Sequence, residues 1–195
     1  MAEVLNLTKG QKIDLTKGNP GLKSLKVGLG WDINKGNGSA FDLDAFVICL
    51  DDANKALPGG VLYYGSPKNS AGKPAILSES LVHSGDNLTG AGDGEDEVIT
   101  INLDQVPANV SKCVVGVNIY EAQSRGQNFG MVRNAFCCVH DGATNADLCK
   151  YDLGEDYSTF QGVVFGEVYR HNGEWKFSAT SNGFNGTIQT VLEMY

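Results

Sequence analysis

The sequence predicts a mainly β fold, a two-sheet β-sandwich with a short C-terminal helix. Glycine is abundant, 25 of 195 residues, while proline is scarce at 5. Ordinary domains average about 7% glycine, so the surplus marks turns and bulges between strands. Apolar residues recur in short runs, several of them alternating, with turn-forming residues between them. Asn172-Gly173, set between VVFGEVYRH and EWKFSAT, is a strong type I′ hairpin signal. No linker-like shift in composition interrupts residues 1–195, which read as one domain.

The elements follow in order. VLNL and KIDL are each followed by Leu-Thr-Lys-Gly, at 7–10 and 15–18, and read as two short strands with a turn between them. LKVGLGWD (25–32) is a strand ending at Asp32, and a Gly-rich loop follows. FDLDAFVICL (41–50) is a long strand. Asp42 and Asp44 share one of its faces near one end, and beyond Ala45 both faces are apolar, as in a strand that enters the core. VLYYG (61–65), SLVHSG (80–85) and EVITINL (97–103) are further strands, the last strictly alternating. CVVGVNIYEA (113–122) reads as a central strand, and FGMVRNAFCCVH (129–140) and ADLCKYDL (146–153) as a hairpin across DGATN. GTIQTVLEMY (186–195) supplies the terminal helix. Roughly ten strands with little helix give a sandwich.

Charge narrows the function classes. The net charge is -8 and the pI about 4.8, so a nucleic-acid partner is not expected, since phosphate binding needs clustered Lys and Arg. No apolar run is long enough to insert in a membrane, and no basic-then-apolar leader opens the chain, so a cytoplasmic location is expected. The five cysteines, Cys49, Cys113, Cys137, Cys138 and Cys149, are odd in number and embedded in apolar runs, which fits reduced, buried thiols. Nucleophile-elbow and phosphate-loop motifs are absent, and His83, His140 and His171 lie far apart, so no catalytic residue is assigned and an enzyme is not expected. Cys138 and His140 share a strand face, and Cys149 would lie opposite Cys138 if the two strands pair. That is a conceivable soft-metal site, although small packing residues are the plainer reading.

The densest chemistry is GDNLTGAGDGEDE, Gly85 to Glu97. It holds five acids, Asp86, Asp93, Glu95, Asp96 and Glu97, and four glycines, with no Lys or Arg. One reading is a solvated turn. The other is a calcium loop, since calcium takes 6–8 oxygens from carboxylates, carbonyls and Asn side chains, and a divalent ion relieves the repulsion among crowded acids. The spacing fits no EF-hand. Asp32, Asp42 and Asp44 sit at strand ends that could converge with the loop, giving enough acids for two ions.

Taken together, VGLGWD (27–32), FDLDA (41–45), HSGDNLTGAGDGEDE (83–97), YEAQSRGQNFGMV (120–132), YDLGED (151–156) and FGEVYRHNGEWKF (165–177) resemble, in order, the signature of the TerD family of tellurium-resistance and stress-response proteins. The resemblance spans nearly the whole chain. It implies a cytosolic calcium-binding sandwich with no assigned enzymatic activity, working with other stress-response proteins. It places calcium ligands at Asp32, Asp42, Asp44, Asp86, Asn87, Asp93, Asp96 and Glu97, with Glu95 and Glu121 at the margin. GEDE stands where GDDE is frequent in the family, which keeps the charge on a longer arm. Two other classes stay open, a cyclic-nucleotide-binding module and a thiol-based tellurite or soft-metal handling protein.

Overall fold

The computed structural model describes residues 5–34, 38–91, 94–153 and 157–195. In chain order the elements are β1 (Leu5–Asn6), β2 (Lys12–Asp14), β3 (Ser24–Gly30), β4 (Leu43–Leu50), β5 (Ala56–Leu62), β6 (Ala75–Ile76), β7 (Leu81–His83), β8 (Glu97–Asn102), β9 (Lys112–Ile119), α1 (Ala122–Arg125), β10 (Phe136–Asp141), β11 (Asp147–Asp152), β12 (Gly162–His171), β13 (Glu174–Phe184) and α2 (Ile188–Leu192). They form two sheets, β1-β11-β10-β3-β8-β7-β6 and β2-β13-β12-β9-β4-β5. All pairings are antiparallel except β1 with β11. This is the β-sandwich that the alternating runs predict. The echoed N-terminal segments add an edge strand to each sheet, β1 to one and β2 to the other.

The alternation in β8 is literal: Glu97, Ile99 and Ile101 are buried, while Val98, Thr100 and Asn102 are half-exposed. Ile99 and Ile101 join Leu25, Val27 and Leu29 of β3 in facing Val47 of β4 and Val115 of β9 across the sandwich. Each such side chain contributes about 1.5–3 kcal/mol on full burial. β4 is buried on both faces. Its second face, Phe46, Ile48 and Leu50, packs under α2, whose Val191 is fully buried there with Ile188 and Leu192 beside it. The Gln189 N–H donates to Thr187 Oγ1 and the Thr187 N–H to Thr190 Oγ1, a capping box that starts this short helix.

Several elements differ from expectation. The strand expected over 129–140 exists only from Phe136. Phe129–Met131 is a 3-10 turn and Asn134 is left-handed at φ 52°, because Phe129 and Val132, spaced three apart, both turn into the core. The strand expected to 122 stops at Ile119, where Glu121 is left-handed at φ 50° and α1 begins. VLYYG is strand only to Leu62, and that strand starts earlier, at Ala56. Pro58 is tolerated because β5 is a sheet edge. Cys149 pairs with Val139 and not with Cys138, so Cys149 faces the core. Asn172 and Gly173, at φ 53° and 79°, make the type I′ hairpin that their dipeptide predicts. Among the described residues no helix is long and apolar enough to cross a membrane.

Candidate metal centre

Two strand ends and one loop build the site. The Trp31 indole donates to the Phe41 carbonyl at 2.9 Å, and the Tyr120 N–H donates to the Asp42 carbonyl at 2.8 Å. These bonds fix the backbone at which Asp42 and Asp44 enter β4. The loop after β7 is pinned at both ends: the Ser84 N–H donates to the Val98 carbonyl at 2.7 Å and the Asp96 N–H to the Leu29 carbonyl at 2.8 Å. Between those anchors the loop crosses Trp31. Gly90, at φ 67°, lies so close that a Cβ there would overlap the indole nitrogen.

This arrangement brings carboxylate oxygens of Asp42, Asp44 and Asp86 within 4.8 Å of one another. Asp42 and Asp44 are buried, at 6% and 2% exposure, while Asp86 lies exposed at the mouth. Asp42 Oδ1 and Asp44 Oδ2 have no hydrogen-bond partner among the described residues. Burial, reinforced by Asp86 and Glu97, holds the Asp42 carboxyl up at about 6 despite Arg125 nearby. Burial again dominates at Asp44, with Glu97, Asp42 and Asp86 adding to it, and lifts that carboxyl to about 9. The candidate ligand atoms are all carboxylate oxygens, which suits a hard cation.

Glu97 opens β8 fully buried and acts as a brace. Its Oε2 accepts the Ala45 N–H at 2.8 Å and its Oε1 the Asn87 N–H at 3.2 Å, joining β4 to the loop. His83 stands behind it. The Gly85 N–H donates to Nδ1 at 3.0 Å, which puts the proton of the neutral ring on Nε2, 3.4 Å from Glu97 Oε2. That last approach is an electrostatic contact without hydrogen-bond geometry. Sequence reasoning passes over His83; its signal is the alternation of SLVHSG, which turns it inward with Leu81.

The other expected ligands sort into separate places. Asp96 accepts from the Trp31 N–H at 3.0 Å and from Asn87 Nδ2 at 2.9 Å, and burial raises its carboxyl, with Asp32 adding to the rise. Asp32 itself accepts from Asn134 Nδ2 at 2.9 Å. Asn87 Oδ1 is taken by the Gly90 and Thr89 N–H groups. Glu121 is exposed and pairs with Arg125 at 3.2 Å, and the other guanidinium nitrogen lies 4.0 Å from Asp42. Glu95 turns away from the cup, to His140. Asp93 lies outside the described residues.

Comparison with known proteins matches residues 3–195 to the TerD domain. The chain belongs to the TerD family. Among its TerD-family relatives, general stress protein 16U of Bacillus subtilis (strain 168) is 48% identical over 193 residues, 98% of this chain and 96% of the relative. The tellurium resistance protein TerD of Serratia marcescens is 41% identical over 192 residues, 98% of this chain and 96% of the relative. A solved structure from Streptomyces coelicolor A3(2), described as a homologue of a telluride resistance protein, superposes with a TM-score of 0.72 at 23% identity. It covers 89% of this chain and 98% of its own, and supports the TerD sandwich as a fold.

Proposed function

We propose that this chain is a non-enzymatic calcium-binding module of a tellurite and general stress-response system, in which the ion ties β4 to the acidic loop. The carrying observation is the pair of buried carboxylates, Asp42 and Asp44, each with an oxygen that no described donor satisfies. Carboxylates taken out of water beside one another are unfavourable unless a cation replaces the lost solvation. Calcium takes 6–8 oxygens and tolerates irregular geometry, so Asp42, Asp44 and Asp86 with nearby carbonyls and water suit it. Magnesium, which demands near-octahedral geometry and keeps its waters, suits this loop-and-strand cup less. We assign Asp32 and Asp96 as the donors of a second ion.

The setting comes from the relatives, named for general stress and for tellurium resistance. In that setting we place the chain in the cytoplasm, with other stress-response proteins as partners for the loop surface that calcium orders. The test is a calorimetric calcium titration of chelator-stripped protein beside a magnesium titration. Saturable calcium binding, much weaker magnesium binding and loss of the tighter site in Asp42→Asn support the reading. The absence of both a binding heat and a calcium-induced rise in melting temperature would overturn it.

A further inference from the structure

A second cluster lies on the outer face of the other sheet. Cys138 is buried at 4% exposure, yet it does not join the core that takes its neighbours Cys137 and Val139. Alternation along β10 points its sulfur outward, toward the face that carries His140 two residues on. β3 runs alongside, and the residue paired with Cys138 is Gly28. The missing side chain there makes a cradle, for a Cβ on Gly28 would occupy the space of the Glu95 carboxylate. Glu95 therefore folds from the acidic loop onto the sheet, over Gly28 and against His140 Nε2.

The geometry points to a binding site for a thiophilic divalent cation of the zinc class, held by Cys138 Sγ, a His140 ring nitrogen and the Glu95 carboxylate. One ligand atom from each lies within 4.8 Å of the others. Sulfur with imidazole and carboxylate is a donor set that zinc takes and calcium does not. Asp147 Oδ1 sits 2.7 Å from His140 Nδ1, which also lies 3.9 Å from Cys138 Sγ, and fixes the ring so that Nε2 is the nitrogen turned to Glu95. A carboxylate behind a histidine is the usual support for a metal-bound imidazole. A cavity of about 410 Å³ lined by Lys26, Val82, Ser84, Glu95, His140 and Asn145 gives an entry path, and three protein ligands leave a coordination position toward it.

Charge and protons balance. The Cys138 thiol now donates to the Cys149 carbonyl at 3.3 Å, and Nε2 shares a proton with Glu95. Binding releases both protons, and thiolate, carboxylate and neutral imidazole then compensate the two positive charges of the ion. The site uses none of the three carboxylates of the acidic cup, Asp42, Asp44 and Asp86, although Glu95 comes from the same loop as Asp86.

The test is a cobalt(II) titration of the full chain with calcium present to occupy the acidic cup. The expected result is a sulfur-to-cobalt charge-transfer band that saturates at a single site and is displaced by zinc. Cys138→Ser should abolish the band, and Glu95→Gln should weaken affinity at least about tenfold. No sulfur band in folded wild-type protein, or a band that survives Cys138→Ser, overturns the proposal. Should Cys138→Ser not fold, X-ray absorption of the zinc-loaded wild type decides. A sulfur at about 2.3 Å supports the site, and a shell of oxygen and nitrogen alone refutes it.

Discussion

Asp44→Asn should stabilise the calcium-free protein, and the gain should grow with pH. The folded carboxyl titrates at about 9 where an ordinary aspartate titrates at 3.8. A raised carboxyl pKa means that the native state holds a proton the unfolded chain has lost. Stability from this group is complete below pH 3.8 and falls as pH rises toward 9. Each pH step in that window favours the unfolded chain by about 1.4 kcal/mol, which reaches about 4 kcal/mol at pH 7 as a ceiling. Asp42, held at about 6, adds a smaller loss complete by that pH. The two effects share one mutual repulsion and do not add.

An asparagine keeps the shape and carries no charge. Chelator-treated wild type and variant should be melted in urea at pH 5, 7 and 8.5. We expect the variant to lead by about 2–4 kcal/mol at pH 7, by less at pH 5, and by more at pH 8.5. Calcium should reverse the order once it exceeds about 1,000 times its dissociation constant, where a ligand adds about 4.1 kcal/mol to the protein that binds it. A variant less stable than wild type at pH 8.5 without calcium, or a difference indifferent to pH, would refute the argument.

Other outcomes follow from the same geometry. Calcium uptake near pH 7 should release about one proton, chiefly from Asp44, read as a buffer-dependent heat in calorimetry. Glu97→Gln should lose about 1–3 kcal/mol in urea denaturation at unchanged m-value, because an amide cannot accept both backbone N–H groups that Glu97 now takes. Gly90→Ala should lose about 1–3 kcal/mol, since φ is 67° and the new methyl overlaps Trp31; a midpoint within error of wild type would show that the loop relaxes freely. Phe46→Ala, made in the layer under α2, should lose about 3–5 kcal/mol and speed proteolysis at the C-terminal helix.

Much of this fold was legible because a period of two is easily read. EVITIN alternates as written, and FDLDAFVICL shows both the acids at its outer end and the doubly apolar stretch that α2 covers. What escaped depends on register and tertiary use. FGMVRNA carries enough apolar residues for a strand, yet its Phe and Val serve as turn-borne plugs. A register one residue away from expectation put Cys149 inside and left Cys138 outside, because a slip of one exchanges the two faces. In the acidic loop, composition marked the segment but could not say which carboxylate goes where. Glu97 is spent on backbone amides and Glu95 on His140, while Asp86 stays at the cup.

That division explains how an unfavourable cluster persists. A carboxylate at the exposed mouth of the site can face water, as Asp86 does. Asp42 and Asp44 cannot. Asp44 lies in a strand buried on both faces and hydrogen-bonded along its length to β9, and the Asp42 carbonyl is held by Tyr120. Moving either side chain to solvent would mean lifting β4 from between the facing sheet and the α2 layer, which forfeits several fully buried side chains at about 1.5–3 kcal/mol each. The core therefore holds the acids in place against a penalty of about 4 kcal/mol. Because the acids cannot escape, the penalty is removed only by a proton, by a cation or by substitution. The rigidity of the strand is thus what turns an acidic loop into a site whose stability responds to ions.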